Sequence, residues 1–211
     1  MASAGHHVPL WGSNFSTECA LGTWQNETGQ SDCNQAAAGT YVSTNGSSAE
    51  TPCGLGTWQN QTGQSECMNA TAGHYVDSNG SVEQTPCDSG TWNNLTGQTS
   101  CTNASVGHYV ASNGSTSETP CGLGTWQNQT GQSECMNATA GHYVDSNGSA
   151  EQTPCSAGTY NPNSSSNAST DCLATPEGSY SGSGASAPTL CSPGTWNNLT
   201  GQTSCTNASV G

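Results

Sequence analysis

The sequence predicts a small disulfide-rich all-β repeat: an elongated rod of stacked short β-hairpins with little or no helix. Three observations carry that expectation. The composition is poor in large apolar residues, twelve cysteines are spread along the chain at regular intervals, and an aromatic residue recurs every 17 positions.

The 211 residues are 30 % hydrophobic, with one Phe, no Ile and 27 Gly. Burying so few large side chains does not offset the entropy lost on ordering so flexible a chain, so covalent links must contribute. Many regularly spaced cysteines, even in number, point to an oxidising compartment, secreted or at the cell surface. There is no Lys or Arg against fourteen Asp plus Glu, a net charge of −14. That balance excludes nucleic acid as a partner and removes any attraction to anionic membranes. No run of about 18 apolar residues occurs, so no membrane insertion is expected within this segment. Met1 to Leu10 lacks the charged and apolar regions of a signal peptide, which is compatible with a removed leader or with a segment of a longer chain.

Cysteines stand at Cys19, Cys33, Cys53, Cys67, Cys87, Cys101, Cys121, Cys135, Cys155, Cys172, Cys191 and Cys205. Their gaps alternate 14 and 20 until one irregular unit gives 17 and 19, so the period is 34. Residues 51–86 and 119–154 differ only at Val82 against Ala150, and 90–107 recur unchanged as 194–211. Such clean duplication means an array. Its expected units are a half-repeat over 1–18, repeats over 19–52, 53–86, 87–120 and 121–154, a divergent repeat over 155–190 and a partial one over 191–211.

A weaker period of 17 divides each repeat, with Gly56-Thr57-Trp58 lying over Gly73-His74-Tyr75. In that overlay Cys53 falls on Ala70 and Cys67 on Gln84, and the same joint loss occurs at Ala36 with Glu50, Ala104 with Glu118, and Ala138 with Gln152. Cysteines present together and absent together are most simply bonded to each other. This pairs Cys19–Cys33, Cys53–Cys67, Cys87–Cys101, Cys121–Cys135, Cys155–Cys172 and Cys191–Cys205; pairing across the longer gaps is the alternative. Zinc is disfavoured, because these spacings are not those of close zinc-ligand pairs. Both termini cut the repeat at nearly the same phase, which fits a segment of a longer array, a subunit that continues into its neighbour, or an arbitrary boundary.

Each half-repeat reads as a hairpin: a strand over Gly56 to Asn60, a turn at Thr62-Gly63 and a return over Gln64 to Cys67. In the other half Asn79-Gly80 is a strong tight-turn signal. Pro52, Pro86, Pro120 and Pro154 each precede a Cys, where a residue without an N–H is expected to interrupt pairing and separate one hairpin from the next. Gly, Asn, Ser and Thr disfavour helix throughout. The aromatic ladder runs Trp24, Tyr41, Trp58, Tyr75, Trp92, Tyr109, Trp126, Tyr143 and Tyr160, then out of strict register to Tyr180 and Trp196, with His7 in the slot before Trp24. One ring per half-unit is the nearest thing to a core, and nearest-neighbour packing is favoured over a platform for sugar rings.

The pattern Cys-x-x-Gly-Thr-Trp/Tyr, a Gly turn and a second Cys, as in Cys53 to Trp58 through Cys67, resembles the ephrin-receptor-like cysteine-rich repeat, a relative of the tumour necrosis factor receptor modules. The resemblance covers nearly the whole chain. It implies elongated extracellular rods used as stalks and interaction modules, with no catalytic residues to carry over. This sequence departs from the family where Ala70 and Gln84 replace expected cysteines, so half of the usual staples are missing.

N-glycosylation sequons begin at Asn14, Asn26, Asn45, Asn60, Asn69, Asn79, Asn94, Asn103, Asn113, Asn128, Asn137, Asn147, Asn163, Asn167, Asn198 and Asn207. Their fixed phase favours use over chance, with Asn60 and Asn79 near hairpin tips and Asn69 at a junction. Covalently attached N-glycans are then the only addition expected; no cofactor or metal is. His74, His108 and His142 recur as repeat residues. Asp77-Ser78-Asn79-Gly80 and Asp145-Ser146-Asn147-Gly148 open like a calcium loop, but the spacing to the next Glu is wrong. No nucleophile, base and orienting acid meet in one unit, so no enzyme is expected. The leading expectation is an extracellular structural glycoprotein forming the core of a fibre, filament or surface coat through copies of itself, head to tail or laterally. The alternative is the stalk or ligand-binding ectodomain of a cell-surface receptor or adhesin, for which the irregular stretch from Cys155 to Cys191 is the candidate binding region.

Overall fold

Twelve antiparallel two-stranded sheets make up the protein in a computed structural model that describes residues 1–10 and 12–208. In chain order they pair His6–His7 with Thr17–Glu18, Thr23–Trp24 with Asn34–Gln35, Thr40–Tyr41 with Thr51–Pro52, and Thr57–Trp58 with Met68–Asn69. His74–Tyr75 follows with Thr85–Pro86, Thr91–Trp92 with Thr102–Asn103, His108–Tyr109 with Thr119–Pro120, and Thr125–Trp126 with Met136–Asn137. The last four pair His142–Tyr143 with Thr153–Pro154, Thr159–Tyr160 with Leu173–Ala174, Ser179–Tyr180 with Thr189–Leu190, and Thr195–Trp196 with Thr206–Asn207. The expected small, disulfide-rich all-β hairpin repeat is what the chain forms. The one helical element among the described residues is a 3₁₀ turn, Ser169–Asp171, and none of the described helices is long and apolar enough to cross a membrane.

The 17-residue period is thus one hairpin, and the 34-residue period is a pair of unlike hairpins. Disulfides Cys19–Cys33, Cys53–Cys67, Cys87–Cys101, Cys121–Cys135, Cys155–Cys172 and Cys191–Cys205 close every second one, with Cα–Cα distances of 5.7 to 5.8 Å. Closing a loop of this length restricts the unfolded chain by about 3 kcal/mol. Four-residue connectors such as 36–39, 70–73 and 175–178 link the ladders throughout. Irregular spacing is absorbed in the loops: 161–172 is longer than the regular 59–67, and 181–188 is shorter. Tyr180 and Trp196, out of register in the sequence, therefore hold the same strand position as every other ladder aromatic.

Two expectations about the hairpins are corrected. The turns are not tight: each ladder is two residues long, and wide loops such as 59–67 and 76–84 follow. Gly63 and Gly80 do take positive φ, but inside those loops. Nor do the prolines interrupt the pairing, for they lie within it. Pro52, Pro86, Pro120 and Pro154 are the last residues of return strands, opposite Thr40, His74, His108 and His142. The next residue makes the ladder bond, as where Cys53 N donates to Gly39 O at 2.8 Å. Each Pro therefore fills a non-hydrogen-bonded site of the antiparallel register, where a missing N–H costs nothing.

The chain divides into two compact units: Met1–Asp88 with Trp92–Thr102 and Asn113–Ser117, and Ser89–Thr91 with Asn103–Ser112 and Glu118–Gly211. Inside the first, Gly22 N donates to Val42 O at 2.8 Å, Val42 N to Gln64 O at 3.0 Å and Gly46 N to Cys19 O at 2.8 Å. Inside the second the same bonds recur as Gly124 N to Val144 O, Val144 N to Ser166 O and Gly148 N to Cys121 O, at 2.8 to 2.9 Å. Short ladders leave most backbone groups unpaired, and successive hairpins satisfy them for one another. Hairpins two apart also touch. A Cβ at Gly56 would lie 2.8 Å from the Gly97 carbonyl carbon and closer still to its oxygen, so glycine alone permits this approach.

The core sits where those connectors cross. Cys19, Ala36, Cys53, Ala70 and Cys87 in the first unit, and Ala104, Cys121, Ala138 and Cys155 in the second, are all 0 % exposed. Val42 and Val76, then Val110 and Val144, are buried beside them. The aromatic ladder flanks this core instead of forming it: Trp24, Tyr41, Trp58, Tyr75, Trp92, Tyr109, Trp126, Tyr143, Tyr160 and Tyr180 are half-buried, and Trp196 is exposed. Backbones this close leave room only for small side chains between them, which places the large rings at the margin.

Candidate functional site

All sixteen sequon asparagines are exposed. They occupy a few recurring places in the hairpin. Asn26, Asn60, Asn94, Asn128 and Asn198 follow the ladder Trp by two residues in the loops of disulfide hairpins, and Asn163 and Asn167 lie in the enlarged loop closed by Cys155–Cys172. Asn14, Asn45, Asn79, Asn113 and Asn147 lie in the loops of cysteine-free hairpins. Asn69, Asn103, Asn137 and Asn207 are the final residues of return strands, so the position read as a junction belongs to a ladder.

A buried polar residue braces the disulfide loops from inside. Gln59, 4 % exposed, donates from Nε2 to Glu66 O at 3.0 Å and accepts from Gln61 N at 3.1 Å, and so holds the backbone around Asn60. Gln25 and Gln127 make the same two bonds. Where the residue is the shorter Asn93, it turns to the preceding hairpin, accepting from Gly73 N at 3.1 Å and donating to His74 O at 2.9 Å. These amides carry hydrogen bonds that burial would otherwise leave unmade.

Cysteine-free hairpins are fastened at the same point by a side chain. Ala37 N donates to Glu50 Oε2, Thr71 N to Gln84 Oε1, Ser105 N to Glu118 Oε2 and Thr139 N to Gln152 Oε1, each at 2.7 Å. Glu50, Gln84, Glu118 and Gln152 are the residues that overlay the lost second cysteine of each pair. A hydrogen-bonded clamp stands where a disulfide would, a role not read from the sequence although the overlay had singled out these residues.

The histidines are held locally. His74 Nδ1 and His142 Nδ1 each lie 3.2 Å from a Thr hydroxyl three residues earlier, and His6 Nε2 is 4.0 Å from Glu18 Oε1. His7, Cys19 and Cys33 bring a nitrogen and two sulfurs within 4.8 Å of one another, with His7 Nδ1 3.2 Å from Cys33 Sγ. Metal binding by cysteine requires thiolates, and both sulfurs are consumed in a disulfide. No protein-family model matches the chain, and no curated protein does.

Proposed function

We propose that this chain is an extracellular structural glycoprotein whose densely N-glycosylated hairpin array joins copies of itself into the core of a fibre, filament or surface coat. The observation that carries the reading is the exposure of every sequon asparagine at repeated positions along an array closed by six disulfides. Disulfides in that number belong to an oxidising compartment outside the cytosol. Sugars on loops and strand ends would cover the edges of short ladders, which otherwise invite pairing between chains. The lack of Lys and Arg removes every trypsin-type cleavage site, which suits persistence outside cells. The reading needs no catalysis and no addition beyond the carbohydrate.

Electron microscopy of native material before and after glycosidase treatment tests it. Filaments that become thinner on treatment are expected, and isolated short particles of unchanged width would overturn it. Those particles would favour the second reading, a stalk or ligand-binding ectodomain. One feature supports that reading: between Cys155 and Cys191 the repeat breaks into an enlarged loop with Ser165 at φ 58° and the 3₁₀ turn Ser169–Asp171.

A further inference from the structure

The sequons differ in how the fold treats the residue that follows the asparagine, and glycosylation depends on that residue. In the transfer, Asn Nδ2 bonds to the anomeric carbon of a lipid-diphosphate oligosaccharide, the bond from that carbon to the phosphate oxygen breaks, the lipid diphosphate leaves and the Nδ2 proton passes to a base of the transferase. The enzyme must hold all three sequon residues while this occurs. In the loop sequon Asn60-Gln61-Thr62 every residue is exposed, as in those at Asn94 and Asn128, although Gln61 N donates to Gln59 Oε1 and the Thr62 hydroxyl to Gln35 Oε1, both at 3.1 Å. In Asn69-Ala70-Thr71 the central Ala70 is 0 % exposed, its N–H donates to Gly56 O at 2.8 Å and its carbonyl accepts from Gly97 N at 2.7 Å. Thr71 N is bound to Gln84 Oε1 at 2.7 Å.

The same arrangement recurs in the second unit. Ala104 and Ala138 are 0 % exposed, and their N–H groups donate to Gly90 O and Gly124 O at 2.8 Å. Their carbonyls accept from Gly131 N at 2.8 Å and Ser165 N at 2.7 Å. The third sequon residues, Ser105 and Thr139, are held by Glu118 and Gln152. The asparagines themselves stay exposed, so a sugar already attached is compatible with the fold while a new transfer is not.

Resting on the reading that the chain carries N-glycans, we infer that its sequons separate by time of modification: Asn60, Asn94 and Asn128 remain acceptors after folding, whereas Asn69, Asn103 and Asn137 are acceptors only before the following hairpins stack. The residues that close Asn69, Gln84 and Gly97, are synthesised after it. At roughly 5–20 residues per second they follow within on the order of a few seconds. Modification of the strand sites and folding therefore compete.

The test is in vitro transfer with purified oligosaccharyltransferase and lipid-linked oligosaccharide onto the unglycosylated full chain, either folded with its disulfides intact or reduced and alkylated. Occupancy of each site is read by peptide mass spectrometry. The expected result is comparable modification of Asn60, Asn94 and Asn128 in both forms, with Asn69, Asn103 and Asn137 at least tenfold lower in the folded chain. Equal occupancy of the two groups in the folded chain overturns the inference, as does loss of transfer at the loop sites on folding. Bare asparagines in native material would instead refute the proposed function and leave this separation standing.

Discussion

Converting a clamped hairpin into a disulfide hairpin tests the equivalence of the two most directly. In the double variant A70C/Q84C, both residues occupy positions that hold Cys53 and Cys67 one hairpin earlier, where the Cα atoms are 5.8 Å apart. Ala70 and Cys53 are both 0 % exposed, and the Thr71 N to Gln84 contact at 2.7 Å already brings the two sites together. A closed loop of this length should contribute about 3 kcal/mol by restricting the unfolded chain. Removing the clamp forfeits one hydrogen bond, about 1 kcal/mol. The net gain is about 2 kcal/mol, which raises Tm by roughly 4–8 °C for a chain of this size. Oxidative refolding, thiol counting and disulfide mapping should find a seventh bond between residues 70 and 84, and thermal unfolding followed by near-ultraviolet circular dichroism gives its effect. Two unreacted thiols, or a bond diverted to Cys67 or Cys87, would refute the shared geometry of the two hairpin types.

Stacking and loop bracing give two more predictions. Gly56→Ala places a Cβ against the Gly97 carbonyl and forces alanine to φ near 75°, at a cost of about 2 kcal/mol. The Gly97 amide, bonded to Ala70 O, should exchange with solvent about thirtyfold faster; unchanged exchange contradicts the contact between alternate hairpins. Gln59→Ala removes both buried bonds of the loop brace and should lower stability by about 2 kcal/mol with the Cys53–Cys67 bond intact. Unchanged amide exchange at Gln61 and an unchanged Tm would show that the disulfide alone fixes the loop.

Fold class and cysteine connectivity were legible because both follow from periodicity: Cys53 and Cys67 vanish together at Ala70 and Gln84, which only a bonded pair explains simply. The loops were harder. Asn79-Gly80 favours a tight turn locally, yet Gly80 N is bonded at 2.8 Å to Cys53 O, in the connector that leads into the preceding hairpin, so contact between hairpins sets a wide loop. Pro52 reads as a pairing breaker because the sequence does not show whether its missing N–H would face the partner strand. Ring size pointed to the aromatics as core, but closely stacked backbones favour the smallest residues at the centre, namely Cys and Ala. The buried brace at Gln59 was hidden for a related reason, since a polar residue in a polar sequence gives no sign that it turns inward. Sequon positions were readable outright, whereas the difference between Asn60 and Asn69 depends on the burial of Ala70, which only packing decides.

Under the proposed function, covalent loops and bonding between hairpins, with attached carbohydrate, would stand in for a large apolar interior. Site-resolved mass spectrometry of native, unreduced protein tests it most directly. The expected result is six intact disulfides and glycans at sequons that recur in phase with the repeat; free thiols together with unmodified asparagines would contradict it.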